Sequence, residues 1–117
     1  MSFSFEPERP LPGDRGLTRV AVNQAILRKV NEAMRGDGRA DGIAFRCECG
    51  RLGCNVLIEL TRDEYEAVRA DARRFAIVPG HEVAEIEDVV ERYDAYAVVA
   101  TRAAGAVDVA ERTSPRP

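Results

Sequence analysis

Polar and apolar positions alternate with a period that changes along the chain, and each change marks a predicted element. From Thr18 to about Arg35, Val20, Gln24, Leu27, Val30 and Met34 recur near the roughly 3.6-residue spacing of a helix, with Val22, Ile26 and Ala33 widening the stripe. Thr18 is the expected N-cap, and Gly36-Asp37-Gly38 the stop. Asn23 and Asn31 fall near one face of this helix. They read either as a paired recognition feature or, more simply, as two solvated asparagines.

Beyond that stop the period shortens. Ile43-Ala44-Phe45-Arg46-Cys47 and Asn55-Val56-Leu57-Ile58-Glu59-Leu60 alternate or run apolar like short strands, and they flank a glycine-rich bend. Thr61-Arg62-Asp63-Glu64 is a capping box, opening a short helix to about Ala70 that buries Tyr65 and Val68. Phe75-Ala76-Ile77-Val78 is a third strand, followed by the turn signal Pro79-Gly80. Ile86 to Arg92 suits a strand or a helical turn. Tyr96 to Thr101 is the most strand-like segment, joined to it across Tyr93-Asp94-Ala95. No internal repeat is evident.

The sum is an α+β fold: an N-terminal helix, a small mostly antiparallel sheet and one short inserted helix. Residues 1–16, broken by Pro7, Pro10, Pro12 and Gly13, read as a flexible N-terminal arm. Residues 17–102 read as a single domain, and residues 103–117 as a flexible C-terminal tail. A chain of 117 residues has room for one modest core, and with 6% aromatics and no Trp that core should be aliphatic.

The candidate chemistry is concentrated in four side chains. Cys47, Cys49 and Cys54 lie within one eight-residue run, and the single histidine, His81, follows Pro79-Gly80. In extended backbone, residues i and i+2 project to one side, so Cys47 and Cys49 can present both sulfurs to one ion. Gly50 and Gly53 permit positive φ, which lets the chain curl back to bring in Cys54. Three thiolates and one imidazole form the ligand set of a closed tetrahedral zinc site, a Cys3His zinc knuckle. The alternative is a [2Fe–2S] cluster. The 26 residues between Cys54 and His81 are too many for the short ligand run of the CDGSH type. A disulfide framework is a poor fit, because three cysteines cannot all pair within a chain.

Phe45-Arg46-Cys47-Glu48-Cys49-Gly50, Cys54, Leu60-Thr61, Glu64 to Arg69, Arg74-Phe75, Pro79-Gly80-His81-Glu82 and Val89 to Arg92 form a recognisable set. Together with the Asn23 to Met34 helix, they resemble a group of small actinobacterial-type zinc-binding proteins with a C-x-C-x4-C and P-G-H-E pattern. The resemblance covers roughly Val20 to Val99. It implies a metal-binding protein with Cys47, Cys49, Cys54 and His81 as ligands, and it names no reaction. In that group the last strand often ends in an acidic–lysine pair, which Ala100-Thr101 lacks. The C-x-C-x4-C spacing is also similar to the post-SET zinc motif of histone methyltransferases, but no methyltransferase domain fits in the remaining residues.

Function is expected to follow from a structural site: an interaction or regulatory module with an unknown protein partner and no catalysis. A net charge of −3 disfavours nucleic acid, although Arg19, Arg28, Lys29 and Arg35 on the first helix would be the phosphate contacts in a nucleic-acid- or ribosome-associated alternative. A zinc-thiolate redox switch is a further alternative, with Glu48 and Arg51 tuning exposure and thiolate charge. Catalysis is the weakest reading, with Glu82 as its only candidate base. No apolar h-region or membrane-length stretch is present, so no membrane association is expected, and a cytoplasmic, reducing location is.

Overall fold

Helix α1 (Arg15–Met34) is about 30 Å long and turns its polar side inward. Ala21, Gln24, Arg28 and Asn31 are buried along one stripe, while Val22, Ile26 and Val30 face solvent. The expected stripe is therefore corrected in part: Gln24 is buried and Val20 packs against the core, but Val22, Ile26 and Val30 face outward. Buried amides and guanidinium are tolerated because each has partners. Gln24 Nε2 donates to Glu87 at 2.9 Å, and Arg28 donates to the carbonyls of Ala72 and Ala110, both at 2.7 Å. Arg28 also lies over the Phe75 ring at 4.9 Å. The helix begins three residues before Thr18, which is thus not its cap.

The computed structural model describes residues 15–36 and 41–116, so the expected arm lies almost wholly outside the described residues. After α1 come β1 (Ile43–Arg46), β2 (Leu57–Leu60), α2 (Arg62–Arg69), β3 (Arg74–Ile77), β4 (Glu87–Arg92), β5 (Ala97–Thr101) and α3 (Ala104–Arg112). The α+β class holds, with two small antiparallel sheets rather than one. Strands β1 and β2 form a hairpin in which Ile43 faces Leu60 and Phe45 faces Ile58. In the second sheet β5 is central, between β3 and β4, with a bulge between Val89 and Glu91. The ambiguous Ile86 to Arg92 segment is thus a strand.

Alternation places Ile43, Phe45, Ile58 and Leu60 on one face of the hairpin, where they pack with Tyr65, Val68 and Val98. Each such side chain contributes about 1.5–3 kcal/mol of transfer free energy when fully buried. Phe45 and Tyr65 stack at 4.4 Å between centroids. Helix α2 starts on the expected capping box: Thr61 Oγ1 accepts from the Glu64 amide at 3.1 Å, and the Thr61 amide donates to Glu64 Oε1 at 2.8 Å.

The expected C-terminal tail is corrected. Helix α3 occupies most of it, with Ala106 and Ala110 buried and α1 as its main neighbour. Arg116 ties the following segment down through Glu32 and Glu66, at 3.0 and 2.7 Å.

Candidate metal centre

Three local devices deliver the four ligands. Beyond β1 the chain continues extended beside β3, where the Glu48 amide donates to the Ala76 carbonyl at 2.8 Å. This puts the Cys47 and Cys49 sulfurs on one side, backed by Phe75, Ile77, Ala97 and Val99. Next, Gly50 and Gly53 take φ of +77° and +84°. A turn closed by the Cys54 amide on the Arg51 carbonyl at 3.1 Å swings Cys54 back. Gly50 has a second constraint, since a Cβ there would lie 2.5 Å from the Val20 carbonyl oxygen of α1. The third device is the turn Val78-Pro79-Gly80-His81. Gly80 has φ +95° and the His81 amide donates to the Val78 carbonyl at 2.9 Å, as a type II turn requires.

These devices bring all four expected ligands together. The sulfurs of Cys47, Cys49 and Cys54 and a ring nitrogen of His81 lie within 4.8 Å of one another. His81 Nδ1 is 3.7 Å from Cys47 Sγ and 3.7 Å from Cys54 Sγ. A tetrahedron with metal–sulfur bonds of about 2.3 Å and metal–nitrogen bonds of about 2.0 Å has edges of roughly 3.5–3.8 Å. The donor chemistry and the spacing both fit one ion.

Backbone amides donate to two of the sulfurs. The Val78 amide donates to Cys47 Sγ at 3.2 Å, and the Arg51 amide to Cys49 Sγ at 3.4 Å. A hydrogen bond from the Cys47 thiol holds Cys49 far below the usual thiol range, at about 4, and the same bond together with burial raises Cys47. Such polarised thiol pairs are what metal binding deprotonates. Cys47 and Cys49 are buried, whereas Cys54 and His81 are half-buried on the outer side.

Glu48 and Arg51 do not act as the tuners of exposure and charge that their positions between the ligands suggest. Glu48 instead points away from the sulfurs and is fully buried. Its Oε2 accepts from Arg69 at 2.8 Å and from Asn31 at 2.7 Å. Its Oε1 accepts from Arg69 at 2.9 Å and from the Ala76 amide at 2.9 Å. Burial pulls the Arg69 pKa down, but the adjacent Glu48 carboxylate outweighs it and the net shift is upward. Arg51 ties the two ligand-bearing turns together through the His81 and Glu82 carbonyls. Glu82 Oε1 has no hydrogen-bond partner among the described residues.

Both asparagines are engaged by the backbone, Asn31 fully buried and Asn23 half-buried. Asn23 donates to the Gly50 carbonyl at 3.1 Å, and Asn31 brackets Arg46, donating to its carbonyl at 3.0 Å and accepting from its amide at 2.9 Å. The helical period places both on one face, and that face turns toward Gly50 and Arg46 rather than solvent.

No protein-family model, curated protein or solved structure matches the chain. Among the described residues, no helix is long and apolar enough to cross a membrane.

Proposed function

We propose that the protein is a zinc-stabilised interaction module whose metal clamp supports a docking face for a protein partner. The observation that carries this reading is the placement of Leu52. It sits at the tip of the knuckle between Cys49 and Cys54, is 87% exposed, and shares a cleft of about 200 Å³ with Ile26 of α1, itself 54% exposed. Ile26 and Val22 also line the open groove between α1 and the end of α3, beside Val109 and Pro115. An apolar face of this kind on a helix that buries its polar side marks an interaction surface.

The chemistry of the partner follows from the rim. Lys29 and Arg112 border the groove beside Glu32, whose charge is taken up by Arg35 and Arg116, and Arg51 borders the cleft. Lys29 and Arg51 have no carboxylate partner among the described residues. On a chain of net charge −3 this local positive rim favours an apolar protein surface with acidic flanks.

Zinc is favoured over an iron–sulfur cluster because the four donors close round a single-ion volume. Two irons would separate the ligands into pairs. The closed set also supports a structural role, since catalytic zinc keeps one position for water. A reducing, cytoplasmic location would keep the thiols available. The nucleic-acid alternative loses Arg28, which is buried, while Arg35 faces Glu32 and Glu66 at 3.5 and 3.4 Å.

The test is affinity capture from the native host with the wild-type chain and with an Ile26→Glu, Leu52→Glu variant. A stoichiometric partner held by the wild type and lost by the variant supports the reading. Equal recovery by both, or no partner, overturns it.

A further inference from the structure

Glu48 lies between two of the four ligands without facing the metal, and it grips one residue of β3 from both sides. Its amide donates to the Ala76 carbonyl at 2.8 Å, and its carboxylate accepts from the Ala76 amide at 2.9 Å. Asn31 does the same to Arg46, the residue before Cys47. Arg69 closes the arrangement, holding both Glu48 oxygens and the Arg74 carbonyl at 3.0 Å.

From this geometry we infer that the Glu48–Arg69 ion pair is the register peg of the metal centre. Glu48 is a positioning residue, acting on the ion through the backbone of Cys47 and Cys49. The inference rests on the metal reading above. In extended backbone a slip of one residue exchanges the two faces. Here that slip would turn the Glu48 carboxylate toward His81 and the flanking sulfurs away from Phe75 and Ile77 toward Arg69 and Asn31. Apart from the peg, the bonds among the described residues that hold this segment to β3 and the residue after it are the Glu48 amide to the Ala76 carbonyl and the Val78 amide to Cys47 Sγ. An apolar pair of similar volume commonly serves stability as well as a buried ion pair does. It cannot supply four directed hydrogen bonds to one carboxylate. The pair is kept for geometry, and it sets that geometry before the metal arrives.

Two measurements test this on the full-length chain. In the first, Co2+ is titrated into the wild type, Glu48→Gln and the double variant Glu48→Met, Arg69→Met, with folding followed by circular dichroism. Glu48→Gln keeps an oxygen for the Ala76 amide but sets an NH2 against the Arg69 and Asn31 donors, and should weaken Co2+ binding as well. Wild-type bands and affinity in a folded Glu48→Gln chain would overturn the inference. The double variant should bind Co2+ about 10–100-fold more weakly, with altered bands, the usual effect of losing an outer-shell partner. A folded double variant with wild-type bands and affinity overturns the inference.

The second measurement covers a double variant that fails to fold. Amide exchange is followed in the wild type after chelation. The Ala76 and Arg46 amides should stay protected, because the peg and not the ion fixes the register. Free exchange at both overturns the inference. A wild type that binds neither Co2+ nor Zn2+ defeats the metal reading instead, while the exchange result still reports on the peg.

Discussion

Arg51 donates from Nε to the carbonyl of His81 at 3.2 Å, so a residue of the knuckle holds the turn that carries the fourth ligand. A second bond from Nη2 reaches the Glu82 carbonyl at 2.9 Å. Both bonds are exposed, and exposed bonds of this kind contribute about 0.5–1.5 kcal/mol each at most. Arg51→Ala is therefore expected to lower the melting temperature by several degrees at most and to speed zinc loss to a chromophoric chelator. An unaltered loss rate would show that the two turns are held together by the metal alone.

Helix α1 sets up an inversion that unfolding in urea can measure. Ile26 is an isoleucine in solvent, and Asn31 is an asparagine in the interior. Ile26→Ser should change stability by within about 0.5 kcal/mol, as surface substitutions do. Asn31→Ala removes the bracket on Arg46 and one partner of Glu48, and should cost about 1–3 kcal/mol. The reverse order would mean that α1 presents its other face to the core.

Glu87 is the buried acid whose titration is most legible. Its carboxylate accepts from the Val83 amide at 2.8 Å and from Gln24 at 2.9 Å, yet burial raises its pKa above the ordinary value. The folded chain then binds the Glu87 proton more tightly than the unfolded chain does. Its contribution to stability is present at low pH and is lost as pH rises through the raised value. Glu87→Gln, with the Gln24 amide turned to match, should gain on the wild type as pH rises from 4 to 8 in parallel melting curves. A constant difference across that range would place the carboxyl in a water-like setting.

Much of the candidate centre was legible because ligation draws on rare residue types. Cysteines at i and i+2, the two turn glycines and Pro79-Gly80 before His81 each carry a backbone requirement that can be read without coordinates. The hairpin and the Thr61–Glu64 box were legible for the same local reason. The buried side of α1 was not. Gln24 falls on the predicted stripe, but Arg28 and Asn31 look like solvent-facing residues, and the groups that satisfy all three, on Glu87, Ala72, Ala110 and Arg46, are distant in the chain. Helix α3 was missed because its buried positions are Ala106 and Ala110, too small to mark a stripe, and Ala103 provides no side-chain cap. The role of Glu48 was missed because its partner, Arg69, lies on another element 21 residues away.

The central claim is that Cys47, Cys49, Cys54 and His81 hold one zinc ion, and metal analysis of the purified chain tests it most directly. The wild type should carry about one colourless zinc per chain, and Cys54→Ser and His81→Ala should each lose it, since a closed tetrahedral site needs all four donors. A chain that retains full zinc without Cys54 or His81, or one that purifies red-brown with iron, would contradict the account.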